Sequence, residues 1–244
     1  MKRQEKMIIK HKQGVYERYV KRCLDFGLSL IALIILSPLL VVLTIIGTFA
    51  MGGNPFFVQE RPGKDEKIFK LIKFRTMTNK KDKQGNFLPD EQRLTGYGRF
   101  LRKTSLDELP ELLNILFGSL SICGPRPLVP SYLPFFTNDE RHRHDVRPGL
   151  TGLAQVHGRS FISWEEIFAY DLQYVSHITF TGDIKIILLT IEKVLGRKNI
   201  ADVTEATTDK NGNLYIVENG KKKRLHQPLD VERRMKNYAE RNRK

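Results

Sequence analysis

Adjacent carboxylates at Asp107 and Glu108 are the side chains of this 244-residue chain best suited to chemistry. They lie in the segment SLDELPELLN, where Pro110 fits only in the first turn of a helix because it lacks an N–H. Ser105 and Glu108 have the spacing of a capping box, which predicts a helix from about Ser105 to Gly118. The dipole and free N–H groups of that first turn would favour an ionised Asp107 and would attract phosphate.

This acidic pair has two interpretations. One carboxylate could attack a phosphoryl group, and the two together could bind Mg²⁺. Acidic residues in a first helical turn also occur simply because they stabilise the helix against its own dipole. The spacing of the pair leaves both interpretations open.

Arginines in three parts of the chain favour the chemical interpretation. Arg126 lies between two prolines, Arg147 and Arg159 bracket a glycine-rich loop, and Arg75 and Arg102 precede the carboxylates. Guanidinium groups bind phosphate oxygens in a fork, and phosphoryl transfer depends mainly on positioning and charge neutralisation. A single arginine would be read as a solvated surface residue. A proline-clamped arginine, a glycine loop and capped carboxylates together predict a phosphoryl-transfer site.

An apolar run from Leu24 to Met51 must anchor these residues, and apart from Asp25 at its edge it carries no charge. A spanning helix needs about 20 apolar residues, so the run is long enough to enter a bilayer. Basic residues flank both ends and favour the cytoplasmic face. Because Ser37-Pro38 interrupts the run, we expect a helix-break-helix that enters the inner leaflet and returns. A single-pass helix with a tolerated kink is the alternative.

The chain divides into a basic lead-in (1–22), the re-entrant membrane helix (23–53), a catalytic domain (54–200) and a polar tail (201–244). The predicted fold class is mixed α/β and mostly helical, with interfacial amphipathic helices and a short β-hairpin. The predicted elements are strands 56–59 and 67–74, a polar loop 78–92, a glycine-punctuated loop 147–159, a helix 163–176 capped by Ser163 and Glu166, a helix capped by Asp183, and a hairpin or loose tail around 214–217. The apolar stripe of helix 163–176 fits either a core or the headgroup layer of a membrane.

Charge and cysteine content restrict the partners. A formal net charge of +14 suits nucleic acid, an anionic membrane surface or anionic small substrates. The chain has no zinc-finger spacing, RNP-like aromatic pattern or helix-turn-helix signature, so we expect no nucleic acid partner. With only Cys23 and Cys123, neither a disulfide framework nor a thiolate metal site is expected.

The chain resembles a known family over roughly residues 14–200. Several segments occur in the order that this family shows: KRCLDF, Ser37-Pro38, QERPG, KFRTM, SLDELPELLN, GPRPL, RPGLTGLAQVHGR and DIKIILLTIEKVL. The chain is similar to the bacterial sugar transferases, the monotopic polyprenol-phosphate phosphoglycosyltransferases. It looks closest to the small members that transfer an N-acetylated, diacetylbacillosamine-type sugar phosphate.

This resemblance implies a reaction and roles for the residues. Asp107 matches the nucleophile that takes a sugar phosphate from a UDP-sugar and releases UMP, and Glu108 matches the acid that assists at the metal or phosphate. Mg²⁺ is the implied cofactor, with both carboxylates as its ligands, and undecaprenyl phosphate is the acceptor. The implied substrate- and phosphate-binding residues are Arg75, Arg102, Arg126, Arg147, Arg159 and Gln155. His157 stands where related small members often have Asn, so the resemblance does not identify the sugar.

The sequence therefore predicts a monotopic enzyme at the cytoplasmic face of the inner membrane that starts glycan assembly on a polyprenyl phosphate. Its expected partners are a UDP-sugar, polyprenyl phosphate and an anionic membrane surface, while a homo-oligomer and downstream glycosyltransferases are left open. One alternative is a hexose-1-phosphate transferase that primes exopolysaccharide or capsule. The other is a basic, membrane-tethered scaffold without chemistry.

Overall fold

The computed structural model describes residue 11 and residues 13–158, 162–196, 206–208, 214–218 and 221–226. In these residues a π-helical turn, Tyr16–Val20, precedes the α-helices α1 (Lys21–Met51), α2 (Asp90–Arg93), α3 (Gly96–Thr104), α4 (Glu111–Phe117), α5 (Asn138–Arg141), α6 (Leu153–His157), α7 (Trp164–Ser176) and α8 (Phe180–Leu195). The strands are β1 (Phe56–Pro62), β2 (Ile68–Phe74), β3 (Ser121–Cys123), β4 (Gly149–Thr151), β5 (Ala206–Thr208), β6 (Leu214–Glu218) and β7 (Lys221–His226).

The sheets are small, and the predicted class of a mixed, mostly helical α/β protein is confirmed. Strands β1 and β2 form the predicted antiparallel hairpin, and β1 runs three residues beyond its predicted end, to Pro62. Strands β3 and β4 pair in parallel, and β5, β6 and β7 form an antiparallel sheet. The β6–β7 pair confirms the hairpin interpretation for 214–217.

Helix α1 continues through Pro38, so the predicted break is absent from the secondary structure. Proline has no N–H to donate to the carbonyl of Ile34, four residues earlier. The Ser37 hydroxyl donates to that carbonyl instead, at 2.8 Å. A side chain thus replaces the lost backbone hydrogen bond, which explains why the helix continues. Its path through a membrane stays a prediction.

The first half of α1 is fixed to the end of α4 and to the β3 strand. Arg22 donates to the carbonyls of Ile115 and Leu116, in the last turn of α4, at 2.6 and 2.7 Å. The buried Asp25 carboxylate accepts from the Ser121 hydroxyl at 2.8 Å. These polar contacts hold the beginning of α1 against the globular part of the protein.

The second half of α1 is fixed to the hairpin and to α3. Leu43 is buried in an apolar cluster with Phe74 and Leu101. The Tyr97 hydroxyl donates to the Leu43 carbonyl at 2.8 Å. Residues on both sides of Pro38 therefore pack against the same globular unit, and the opposite side of α1 is exposed and apolar.

Helix α3, which the sequence did not predict, depends on one close approach. Thr95 caps it by accepting from the Gly98 N–H at 2.9 Å. A Cβ atom at Gly98 would collide with the carbonyl of Thr76, so only glycine lets α3 lie this close to the segment after β2. Glycine has a low helix propensity. The residue that allows α3 to pack therefore also weakens the helical pattern by which the sequence would predict α3.

The loop predicted for 147–159 is wrong for residues 149–157, which contain β4 and α6. Ser121 and Cys123 pair with Gly149 and Thr151 in the parallel β3–β4 ladder. A Cβ at Gly149 would collide with the backbone N of Gly124. The glycines of this region thus permit close backbone packing.

Helix α7 begins at the predicted capping box of Ser163 and Glu166. Its apolar stripe is buried, with Phe168 in a cluster with Phe136 and Val175 in the central core, so the core interpretation is confirmed. Trp164 stacks on Phe168 with ring centroids 5.8 Å apart.

Asp183 does not cap α8, which is a correction to the predicted helix start. The helix begins at Phe180, four residues before the predicted start at Ile184, and Thr179 accepts from the Gly182 N–H at 3.1 Å. Asp183 is buried and accepts instead from Lys21 at 2.6 Å and from the Tyr174 hydroxyl at 2.9 Å. The Asp183 carboxylate thus pairs with Lys21, which is distant in sequence, and does not cap α8.

Candidate active site

The predicted carboxylates open into a cavity of about 430 Å³ between the β1–β2 hairpin, the end of α3 and the turn before α4. Six cationic side chains and two carboxylates line it, so its wall carries an excess of positive charge. The lining residues are Phe57, Gln59, Arg61, Lys73, Phe74, Arg75, Thr76, Met77, Asn79, Arg93, Arg102, Ser105, Asp107, Glu108 and Arg126.

A short turn, and not a capped helix, presents the carboxylates. Ser105 has a φ of 56° and makes no side-chain cap, so the predicted capping box with Glu108 is absent. A 3-10 turn spans Leu106–Glu108, Pro110 is the N-cap of α4, and Gly118 ends that helix as predicted. The left-handed Ser105 turns the chain sharply after α3, which directs Asp107 and Glu108 to the cavity.

Glu108 is held by two cations. Its Oε1 accepts from Lys73 Nζ at 2.9 Å and from Arg126 Nη2 at 2.7 Å. Burial alone would raise the pKa of Glu108, but the charges and hydrogen bonds of Arg126 and Lys73 outweigh burial and hold that pKa well below its usual range. Glu108 is therefore a permanent anion that fixes the positions of two cations.

Asp107 has the opposite electrostatic environment. Burial and the neighbouring Glu108 charge raise the pKa of Asp107 to about 6, against the opposing effect of Lys73, Arg102 and Arg126. The carboxylate is still mostly ionised at neutral pH and is more basic than an ordinary aspartate. A more basic oxygen is a better nucleophile, so the two adjacent acids are suited to different tasks.

A third acid, Glu111, lies behind Lys73. It is 2% exposed, and its Oε1 lies 2.9 Å from Lys73 Nζ, an ion-pair distance without hydrogen-bond geometry. Burial and the Glu108 charge raise the pKa of Glu111 to about 7. Lys73 therefore connects the site to a buried carboxyl group that titrates near neutrality.

The structure brings together some of the predicted phosphate-binding residues. Arg75, Arg102 and Arg126 line the cavity with the two carboxylates, and Arg102 Nε donates to the Thr76 hydroxyl at 3.0 Å. Burial and the neighbouring Arg126 charge lower the pKa of Arg61, as expected where positive charge is only partly compensated.

Other predicted residues lie elsewhere. Arg147 is not in the cavity lining, because its Nε donates to the Gly118 carbonyl at 2.9 Å at the far end of α4. Gln155 is buried in α6, where its amide donates to the Leu150 carbonyl at 3.2 Å. Arg159 lies outside the described residues.

Sequence reasoning missed three polar lining residues on the hairpin. Gln59 and Arg61 of β1 and Lys73 of β2 all line the cavity. Residues two apart on a strand share a face, so the spacing of Gln59 and Arg61 was a usable signal. Which face meets the carboxylates depends on how the hairpin packs, and the sequence does not show that.

The two carboxylates of the cavity could bind Mg²⁺ only together with ligands that the described residues do not supply. Among the residues that the structure describes, no group of three His, Cys, Asp or Glu side chains could enclose a metal ion. Mg²⁺ in phosphoryl-transfer sites is commonly bound through one or two carboxylates together with substrate phosphates and water. Asp107 and Glu108 satisfy that requirement, although Glu108 Oε1 already accepts from two cations.

Comparison with known proteins identifies the family of this chain. A model of the bacterial sugar transferase family matches residues 16–197. The chain is 45% identical over 191 residues to an uncharacterised sugar transferase, EpsL, of Bacillus subtilis, across 78% of this chain and 95% of the relative. It is 36% identical to an undecaprenyl-phosphate galactose phosphotransferase of Salmonella typhimurium, across 74% of this chain and 41% of the relative. It is 39% identical to a UDP-glucose:undecaprenyl-phosphate glucose-1-phosphate transferase of Klebsiella pneumoniae, across 71% and 39%. The chain therefore belongs to the bacterial sugar transferase family.

Proposed function

We propose that this protein transfers a sugar 1-phosphate from a UDP-sugar to undecaprenyl or another polyprenyl phosphate and releases UMP. The observation that carries the proposal is a basic Asp107 carboxylate in a cavity lined by six cations. Both substrates are phosphate esters, and an excess of positive charge suits them. Membership of a transferase family and this cavity favour an enzyme over a membrane-tethered scaffold.

The reaction runs in two steps through an Asp107 adduct. An Asp107 carboxylate oxygen attacks the sugar-bearing phosphorus, the bond from that phosphorus to the bridging oxygen breaks, and its electron pair leaves with UMP. A phosphate oxygen of the polyprenyl carrier then attacks the same phosphorus and displaces the carboxylate. Arg126, Lys73 and Arg102 lie where they would neutralise the phosphoryl oxygens.

Mg²⁺ is the proposed cofactor. Asp107 and Glu108 would hold it together with the substrate phosphates. When bound, the ion would neutralise phosphate charge and polarise the phosphoryl group. Thorough chelation with EDTA should stop UMP release and added Mg²⁺ should restore it, whereas activity that survives chelation removes the metal from the proposal.

A lipid substrate can reach the cavity because its wall adjoins the membrane helix. Phe74 lines the cavity and packs on its other side against Leu40 and Leu43 of α1. The cavity therefore lies beside the one described helix that is long and apolar enough to cross a membrane. One carboxylate can meet a water-borne nucleotide sugar and then a lipid-borne phosphate.

The packing of α1 supports a re-entrant, monotopic position at the cytoplasmic face. Arg22 and Leu43, on opposite sides of Pro38, both contact the same globular unit. A straight helix from Arg22 to Leu43 would measure about 32 Å, close to the roughly 30 Å of the hydrocarbon core. A polar domain on one side of a bilayer could not touch both ends of a spanning helix.

Helix α8 supports the same position. Its apolar residues at Phe180, Ile184, Leu188 and Ile191 recur at helical spacing and are between 40% and 61% exposed. An exposed apolar stripe on a helix is typical of a membrane interface. The basic balance of the chain would add attraction to anionic lipids.

The sugar is the open part of the proposal. Two of the relatives above are named for galactose and glucose transfer, which favours the hexose-1-phosphate alternative and priming of exopolysaccharide or capsule. His157, where related small members often have Asn, stacks on Tyr170 with centroids 4.4 Å apart and does not line the cavity. A panel of UDP-sugars tested for UMP release separates the hexoses from N-acetylated sugars. The lipid-linked product would then pass to downstream glycosyltransferases.

Kinetic order tests the proposed mechanism. UDP-sugar alone should release a burst of UMP limited to about one equivalent per active enzyme, because the first step needs no lipid. A phosphosugar adduct should be found on the peptide that contains Asp107. Enzyme that is active with both substrates but gives neither burst nor adduct would rule out the two-step route.

Cysteine labelling tests the proposed topology. Single cysteines placed before Tyr19 and after Arg61 should react from the same side of sealed vesicles. Cys23 should be replaced beforehand because it is free and exposed. Labelling from opposite sides would establish a single-pass helix instead.

A further inference from the structure

The segment Pro125-Arg126-Pro127 is held by three consecutive carbonyls. The Pro125 carbonyl accepts from the Gly149 N–H at 3.0 Å. The Arg126 carbonyl accepts from Arg143 Nη2 at 2.8 Å, and the Pro127 carbonyl accepts from Arg61 Nη1 at 3.2 Å. Because proline fixes φ and donates no backbone hydrogen bond, carbonyls are the means by which this segment can be anchored.

Arg143 differs from the other two donors because it is a buried cation. The side chains of Arg143 and Asp171 are each 1% exposed. Arg143 Nε and Nη2 both donate to Asp171 Oδ2, at 3.0 and 2.6 Å. The rings of Phe136 and Phe168 lie on the guanidinium, with both centroids 5.8 Å from its Cζ. The hydrogen bond to Arg126 is the guanidinium's connection toward the catalytic cavity.

Stability alone does not explain this pair. A buried ion pair loses the hydration of two charges, and its replacement by apolar residues of similar volume is often neutral or stabilising. Arg143 lies in an apolar cluster that could accommodate such residues. Its contact with Arg126 matters more, because the Arg126 guanidinium pairs with Glu108 at 2.7 Å in the cavity.

We propose that Arg143 and Asp171 are positioning residues for the transfer reaction. Asp171, on α7, orients Arg143, and Arg143 holds the Arg126 backbone so that the Arg126 side chain meets Glu108 at the cavity wall. The inference rests on the proposed function for its kinetic consequence. A misplacement of about 1 Å in a catalytic constellation can cost about a hundredfold in rate.

A double variant, Arg143→Met with Asp171→Leu, tests the proposal without leaving an unpaired buried charge. We expect a folded protein whose thermal midpoint lies within a few degrees of the wild type. Its kcat for UMP release should fall about tenfold or more, while KM for the UDP-sugar changes less. The burst should keep its amplitude and lose rate, because positioning alters the speed of each active site. A wild-type burst rate, or a loss of amplitude alone, would overturn the proposal.

Arg141 offers a matched control. It also pairs with a carboxylate, Glu66 at 2.6 Å, and donates to a backbone carbonyl, that of Leu133 at 2.9 Å. It is not in the cavity lining. Arg141→Met should keep the burst rate within about twofold of the wild type. Arg143→Lys, which keeps the charge but not the fork, should give an intermediate rate. If Arg141→Met slowed the burst as much as the double variant does, the effect would come from a general loss of structure and not from the positioning of Arg126.

A structural readout separates this inference from the proposed function. In the double variant, Arg126 Nη2 should move beyond hydrogen-bond distance of Glu108 Oε1. If the wild type releases no UMP from any UDP-sugar, the proposed function fails, and this separation still decides the positioning role. An ion pair kept at its wild-type length in the double variant would show that Arg143 does not position Arg126.

Discussion

Two polar centres of this protein each combine cationic and acidic side chains, and they differ in how those charges are paired. The cavity at Asp107 and Glu108 has six cations against two carboxylates around about 430 Å³. The second centre, which we term the N-terminal polar cluster, consists of Tyr16, Lys21, Asp25, Tyr174 and Asp183. The space beside it measures only about 30 Å³, enough for one or two waters.

Pairing accounts for the difference. In the N-terminal polar cluster, Asp183 accepts from Lys21 at 2.6 Å and from the hydroxyls of Tyr16 and Tyr174 at 2.8 and 2.9 Å. Asp25 accepts from the Ser121 hydroxyl at 2.8 Å. The protein itself satisfies these groups, so the cluster stabilises the fold. The cavity keeps unbalanced positive charge and open volume, and both features suit an anionic ligand.

Among the variants of the two centres, replacement of Asp107 in the cavity should have the largest effect. Asp107→Asn should lower UMP release at least a thousandfold, about 4 kcal/mol in barrier, because an amide cannot serve as the nucleophile. The measurement is the burst from UDP-sugar alone. Near-normal activity in this variant would make the nucleophile assignment wrong.

The stability of Asp107→Asn provides its control. The folded-state pKa of Asp107 is raised to about 6, so its contribution to stability is full below its unfolded pKa and is lost as pH rises through 6. At pH 8 the free energy of unfolding of the variant should therefore exceed that of the wild type by up to about 3 kcal/mol, and the difference should shrink to near zero as the pH falls to about 4. An inactive variant that is also less stable at pH 8 would point to damage to the fold.

Lys21→Met tests the other centre. It leaves the buried Asp183 without its cation, and breaking such a pair costs about 3 kcal/mol, reduced to the extent that the two tyrosine hydroxyls still donate. Denaturant unfolding should show this loss, and the burst rate per active enzyme should stay at the wild-type value. A slower burst would mean that the cluster also serves the reaction.

The pH dependence of the burst tests whether Asp107 and Glu108 have different roles in the cavity. Protonation neutralises the Asp107 nucleophile, so the burst rate should fall about tenfold for each pH unit below roughly 6. Glu108, whose pKa is held low, should not contribute to this decline. Burst rates between pH 4.5 and 8 measure it. A decline centred near pH 4 would indicate that burial and the Glu108 charge do not raise the pKa of Asp107.

Ser37 lies outside both centres and should show the smallest effect. Ser37→Ala removes the donor to the Ile34 carbonyl at 2.8 Å, a loss of about 1 kcal/mol or less. Adding Pro38→Ala restores the backbone N–H, so the double variant should recover that stability. It should also favour a straighter, spanning helix, which the cysteine labelling would detect as a change of side. Equal stability of all three proteins would show that the hydroxyl does not replace the missing backbone donor.

Patterns that depend on neighbours in sequence predicted much of this structure. The hairpin and the Ser163–Glu166 capping box are both confirmed. Each depends on residues a few positions apart, or on strands joined by a short turn. The structure also gathers Asp107 and Glu108 with Arg75, Arg102 and Arg126 in one cavity.

Features that depend on distant partners were not predictable. Asp183 looked like a helix cap, and its partner Lys21 lies 162 positions away. Glu108 looked like half of a capping box, yet Lys73 and Arg126 hold it instead. Which donors a carboxylate binds depends on the positions of local and distant groups, and only the folded structure determines those positions. Lys73 was missed for the same reason.

The packing of α1 has a consequence for biosynthesis. The helix leaves the ribosome early, but the residues that cover its inner side, such as Leu71, Leu101 and Leu112, are made much later. At 5–20 residues per second, Leu112 follows Leu43 by roughly 3 to 14 seconds. During that interval the inner side of α1 lacks these protein partners. A soluble form made by deleting α1 would expose the partners of Leu43 to water, so the anchor cannot be removed without dismantling part of the core.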